Sequence, residues 1–138
     1  YNSNQIKTLI CLSKEIIKKY AIKRKNILGH SDVSPNRKKD PGEKFPWAKL
    51  AKNGLVWFHD LDHKKIKKFR KVKLLSKSDE NIFLKNLYKI GYKKIEGLKL
   101  SKNIEYLTKA FQRRFRQDLV DGKIDQECLK ISKNLASH

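Results

Sequence analysis

Apolar residues recur at helical spacing over residues 4–20, where Ile6, Leu9, Ile10, Ile16, Ile17 and Tyr20 form a stripe opposite a lysine-rich side. The pattern predicts an amphipathic helix, with Ser3 as its N-cap. A short apolar stretch, Asn26-Ile27-Leu28-Gly29-His30, follows. Ile27–Gly29 reads as a short strand that delivers His30 to a loop, with a sheet as the cover for the helix. Residues 31–46 hold Ser31, Asp32, Ser34, Pro35, Asn36, Asp40, Pro41, Gly42 and Pro46, a density of turn formers that predicts a long loop. Phe45 and Trp47 argue that it is anchored. Trp47–Asn53 reads as a short helix stopped near Gly54.

The pattern then breaks. Seven of the ten residues Lys64–Lys73 are basic, and residues 59–77 read as a solvated linker, with a wall or nucleic-acid contact patch as the other reading. Beyond it, three helices are expected. The first starts at Ser78, presents Phe83, Leu84, Leu87 and Tyr88, and ends at Gly91. The second runs from about Asn103 to Gln117, with Ile104, Leu107, Phe111 and Phe115 on one face. The third follows an Asp121-Gly122 turn and uses Cys128, Leu129, Ile131 and Leu135.

The 138 residues suffice for one ordinary domain or two small ones, with a modest 38% of hydrophobic positions. Lys and Arg number 34 against 14 Asp and Glu, for a net charge of +20. Such a field attracts anions, but lysine is spread through every segment, and a compositional bias gives the same pattern. No recognised nucleic-acid motif accompanies the charge, so no specific nucleic-acid partner is expected. Cys11 and Cys128 lack metal or disulfide spacing and read as buried free thiols. No apolar run approaches the ~20 residues of a membrane span.

Candidate chemistry lies in the loop. Gly29-His30-Ser31-Asp32-Val33-Ser34-Pro35-Asn36-Arg37-Lys38-Lys39-Asp40-Pro41-Gly42 sets one imidazole and one carboxylate ten residues apart across proline turns. Both are good zinc ligands, and a catalytic zinc takes three protein ligands and a water. On composition alone, a surface histidine and a turn-capping aspartate are the favoured reading of the segment.

The full string, through Phe45-Pro46-Trp47, resembles the signature of the type 2 zinc-dependent N-acetylmuramoyl-L-alanine amidases, the AmpD-like family. Three tail segments, Leu87–Tyr92, Ala110-Phe111-Gln112-Arg113-Arg114-Phe115-Arg116 and Asp121–Asp125, resemble the peptidoglycan-binding module appended to some of these enzymes. The resemblance implies an α/β fold: residues 1–58 as the C-terminal portion of a mixed-sheet amidase domain flanked by helices, 59–77 as a basic linker, and 78–138 as an all-α three-helix wall-binding module.

It also implies roles. His30 and Asp40 match the family's second and third zinc ligands, and Lys38 its lysine beside the metal. The reaction implied is hydrolysis of the amide between N-acetylmuramic acid, or its anhydro form, and L-alanine, in peptidoglycan or anhydro-muropeptides. Arg37 either reaches a substrate carboxylate or braces the loop by pairing with Asp32, the favoured reading. Phe45 and Trp47 either line the substrate groove or anchor the loop, anchoring being favoured for Trp47. His59 and His63 lack an acid–base partner in metal-binding form and read as linker residues; His138 reads as a chain end.

The family's first zinc histidine and its general-base glutamate have no counterpart here. The chain is therefore expected to be a C-terminal fragment, inactive alone, whose partner is the N-terminal half of the same protein. The alternative is a non-catalytic basic cell-wall-binding module. The implied source is bacterial; periplasm or cell envelope against cytoplasm is left open.

Overall fold

The computed structural model describes residues 1–74 and 76–137. Its helices are α1 (Ser3–Tyr20), α2 (His30–Val33), α3 (Trp47–Lys52), α4 (His63–Lys67), α5 (Lys77–Ile90), α6 (Leu100–Phe115) and α7 (Gln126–Ala136), with one 3-10 turn at Arg24–Asn26. There is no strand among the described residues, so the expected α/β, mixed-sheet class is overturned: the described chain is all helical. The reason lies in the hydrogen bonds. Ile27 and Gly29 are extended, but extended backbone becomes a strand only when a neighbouring strand completes its ladder. Here the Ile27 carbonyl accepts Arg114 Nη2 at 2.9 Å, and the Gly29 N–H donates to Asp32 Oδ2 at 2.9 Å. Side chains take the places a partner strand would fill.

Helix α1 begins one residue earlier than Ser3 capping would place it. Asn2 accepts the Gln5 N–H at 2.9 Å and donates its own N–H to Gln5 Oε1 at 3.0 Å, a reciprocal capping box. Ile6 is buried, and Leu9, Ile10 and Ile17 pack with Ile27 and Phe45 on a cluster of Trp47, Leu50, Leu55 and Val56. Leu12, Ile16 and Tyr20, spaced by four on the helix, stay exposed. Cys11 falls off the inward stripe and is exposed, against expectation; Cys128 is buried, and burial pushes its thiol up to about 12.

The second cluster joins α5, α6 and α7 through Phe83, Leu87, Leu107, Phe111, Phe115, Cys128, Ile131 and Leu135. Ser76, rather than Ser78, caps α5, accepting the Asp79 N–H, and Gly91 closes it with φ at +119°, a conformation glycine adopts without strain. Helix α6 starts before Asn103, whose buried amide donates to the Ile95 carbonyl at 2.8 Å. Asp125 caps α7 through the Cys128 N–H.

Residues 59–77, expected as a solvated linker, are packed over their described part. Ile66 on α4 is buried in the second cluster, with Phe69 against it. Arg70 grips Glu127 through two bonds of 2.7 and 2.9 Å and Asp118 at 3.0 Å. The charge pattern misleads because the residues that turn inward, Ile66, Phe69 and Arg70, lie between lysines that turn out.

Candidate functional site

The loop from Gly29 to Trp47 is closed at its base by backbone. The Ser31 N–H donates to the Asp40 carbonyl at 3.0 Å, which brings the two ends together. A turn inside the loop is fixed by the Ser34 carbonyl, which accepts the N–H groups of Arg37 and Lys38. The closure needs glycine at position 29: a Cβ there would stand 2.6 Å from Pro41 Cδ and 3.2 Å from Trp47 Cζ2. The first residue of α2 is His30.

His30 Nδ1 meets Asp40 Oδ2 in direct contact. Both side chains face solvent, at 74% and 57% exposure. The hydrogen bond from His30 holds the Asp40 carboxyl below the usual carboxylate range, and the positive charge of Lys38 acts in the same direction. The pair borders a cavity of about 300 Å³ that Leu9, Pro41, Phe45 and Trp47 also line.

The other expected residues divide. Arg37 does not pair with Asp32; its Nε donates to Ser34 Oγ at 2.9 Å. Asp32 turns inward instead and accepts Arg114 Nη1 at 2.8 Å, the Tyr92 hydroxyl at 2.7 Å and the Gly29 N–H. The buried Tyr92 phenol is raised well above its ordinary value, first by burial and then by the Asp32 charge, so it stays a donor. Trp47 is buried, with the Arg114 guanidinium 4.3 Å from its ring centre. Phe45 packs edge-on to Trp47 and to Tyr1.

His59 and His63 face separate partners. The His59 ring stacks on Phe58 and its Nε2 bonds the Phe115 carbonyl at 3.2 Å; burial lowers its pKa. His63 meets Asp118 at 3.3 Å. His138 lies outside the described residues.

As a metal centre the arrangement is partial. An imidazole nitrogen and a carboxylate oxygen meet at an accessible position, and both are donor types that zinc accepts. Among the described residues, no group of three or more His, Cys, Asp or Glu side chains could hold a metal. The donor set fits two of the three protein ligands of a catalytic zinc.

Sequence reasoning missed the residues behind the loop: Arg114 and Tyr92 on Asp32, and Gln117, whose amide bridges the carbonyls of Glu43 and Phe45 at 2.6 Å each. Helical spacing did signal one of them. Arg114 lies three residues after Phe111 and one before Phe115 on a helix whose apolar face is buried, so its guanidinium had to find an internal acid.

No protein-family profile matches the sequence. The chain is 33% identical over 131 residues to N-acetylmuramoyl-L-alanine amidase AmiD of Escherichia coli K12, covering 95% of this chain and 47% of AmiD. It is 39% identical over 50 residues to 1,6-anhydro-N-acetylmuramyl-L-alanine amidase AmpD of Enterobacter cloacae, covering 36% of this chain and 27% of that protein. Among solved structures, AmiD from E. coli in complex with anhydro-N-acetylmuramic acid-L-Ala-D-γ-Glu-L-Lys superposes with a TM-score of 0.81 at 32% identity, over 98% of this chain and 52% of that one. AmpDH3 of Pseudomonas aeruginosa gives 0.81 at 30% identity, over 99% of this chain and 54% of its own. The chain thus spans about half the length of AmiD and less of AmpD. By sequence and by fold, nearly all of this chain is similar to about half of N-acetylmuramoyl-L-alanine amidase AmiD.

Proposed function

We propose that this chain supplies part of the active site of a zinc-dependent hydrolase that cuts the amide between N-acetylmuramic acid, or its anhydro form, and L-alanine. The observation that carries the reading is the convergence of His30 Nδ1 and Asp40 Oδ2 at an accessible cavity. The substrate comes from the relatives, one of which is described in complex with an anhydro-muropeptide. His30 and Asp40 would hold the ion, and zinc at such a site polarises a carbonyl and lowers the pKa of bound water. Lys38, close enough for its charge to act on Asp40, is the cation available to stabilise an oxyanion at the scissile carbonyl. Arg37, with one guanidinium edge on Ser34, keeps other donors for a substrate carboxylate. Phe45 lines the cavity and is the aromatic surface open to substrate, while Trp47 is committed to the core.

The third zinc ligand and a general base are assigned to the N-terminal half of the same protein. On this reading residues 1–58 belong to the amidase domain and 78–138 to a wall-binding module, joined by 59–77. The described helices include none long and apolar enough to cross a membrane.

The test is turnover of an anhydromuramoyl tripeptide, read as release of the free peptide. The 138-residue chain alone should show none, and the protein carrying both halves should be active. In the latter, His30→Ala and Asp40→Ala should abolish zinc and turnover, and Lys38→Ala should lower kcat by roughly a hundredfold. Full zinc and full activity in both ligand variants would overturn the assignment.

A further inference from the structure

The loop that carries His30 and Asp40 is held from behind by residues far away in sequence. Asp32, two residues after His30, has a nearly buried carboxylate, 5% exposed, with three donors on it. One is the Gly29 N–H, so Asp32 fixes the backbone on the other side of His30. The second is Tyr92, just beyond the end of α5, and the third is Arg114 on α6, itself 3% exposed. Arg114 spends its remaining reach on the same region: Nη2 donates to the carbonyls of Ile27 at 2.9 Å and Trp57 at 3.4 Å, and the guanidinium lies over the Trp47 ring.

The far end of the loop is tied to the same end of α6. Arg113 reaches Glu43 at 3.3 Å, and Gln117 holds the carbonyls of Glu43 and Phe45. Both legs of the loop are therefore tied to the C-terminal end of α6 and the residues just past it, and the donor pair sits on the solvent side of the loop's closed base. A two-ligand site gains affinity from being held in place, because each ligand fixed in advance is one that zinc need not order.

We propose that Arg114 and Tyr92, acting through Asp32, are positioning residues for the His30–Asp40 pair, so that the C-terminal helices form part of the scaffold of the metal site. This rests on the metal reading above. It predicts that buried changes in α6 and just beyond α5 alter metal binding without touching a ligand.

The test uses the 138-residue chain with Tyr92→Phe, which removes one hydroxyl and keeps the ring, and Arg114→Lys, which keeps the charge and loses the fork. Two quantities are read: amide exchange at Gly29 and Ser31 in zinc-free protein, and zinc affinity by chelator competition. The expected result is faster exchange at both amides, unchanged exchange in α7, and zinc affinity lower on the order of tenfold. Wild-type values of either quantity in both variants would overturn the proposal. Should the chain alone, with its two donors, take up no measurable zinc, affinity is read in the protein carrying both halves; no zinc there would sink the metal reading by itself, and Gly29 and Ser31 exchange still decides whether Asp32 is held from behind.

Discussion

The Gly29–Trp47 loop makes two acid–base contacts of similar appearance, one within itself and one with the C-terminal helices, and the two could hardly differ more in kind. His30 and Asp40 lie ten residues apart and meet in solvent; Asp32 and Arg114 lie 82 apart and meet almost fully buried. An exposed pair adds little to stability, because water competes for both partners. A buried pair that loses one member leaves an uncompensated charge, which is strongly destabilising. The second contact therefore serves architecture, whereas the first is available for the proposed metal chemistry. The same division holds more widely: Arg116, fully buried, is ringed by Asp125 at 2.5 Å, Asp121 at 3.3 Å and Glu127 at 3.5 Å, whereas the loop lysines face water.

The largest effect that would sharpen this contrast belongs to the helical core. Phe111 is fully buried, edge-on to Phe83 and tilted against Phe115, with ring centres 5.2 Å away in each case. Phe111→Ala should cost about 3–5 kcal/mol of unfolding free energy in a urea titration. A loss below about 1 kcal/mol would mean that the second cluster is not the stabilising core.

A smaller effect comes from His59. Burial lowers its pKa from the ordinary 6.5. Its unfolded form thus takes up a proton before its folded form does, so the stability it contributes is complete above the unfolded value and is lost as pH falls through the folded one. Tm should fall between about pH 7.5 and pH 5 by more in the wild type than in His59→Phe, which keeps the stack on Phe58 and cannot titrate. Equal falls would place the acid sensitivity elsewhere. Smallest of all, His30→Ala should leave Tm where it is; a marked drop would show that the exposed pair is structural after all.

Much of this was legible in the sequence. The Gly29–Trp47 string carried the family, and the spacing of Phe83, Leu87, Leu107, Phe111, Cys128 and Leu135 carried the three C-terminal helices. Three expectations failed for physical reasons. Ile27–Gly29 has the composition of a strand, but strand formation depends on a neighbour, and Arg114 and Asp32 occupy that place. The 64–73 run has the composition of a solvated tether, but Arg70 has buried Glu127 to answer it, a pairing between residues 57 apart that no local pattern announces. Likewise Arg37 looked like the natural partner for Asp32, five residues away, and lost it to Arg114. Local spacing identified the groups that meet in solvent and missed those that hold the loop from behind.

The proposal that His30 and Asp40 share one divalent ion stands or falls on binding. It is tested most directly by titrating zinc into the chain while following the His30 ring nitrogens and the Asp40 carboxyl carbon by NMR. Both resonances should move together along a single saturable curve, and Asp40→Ala should weaken the His30 response. A His30 resonance that stays still at saturating zinc, or moves equally well without the Asp40 carboxylate, would contradict it.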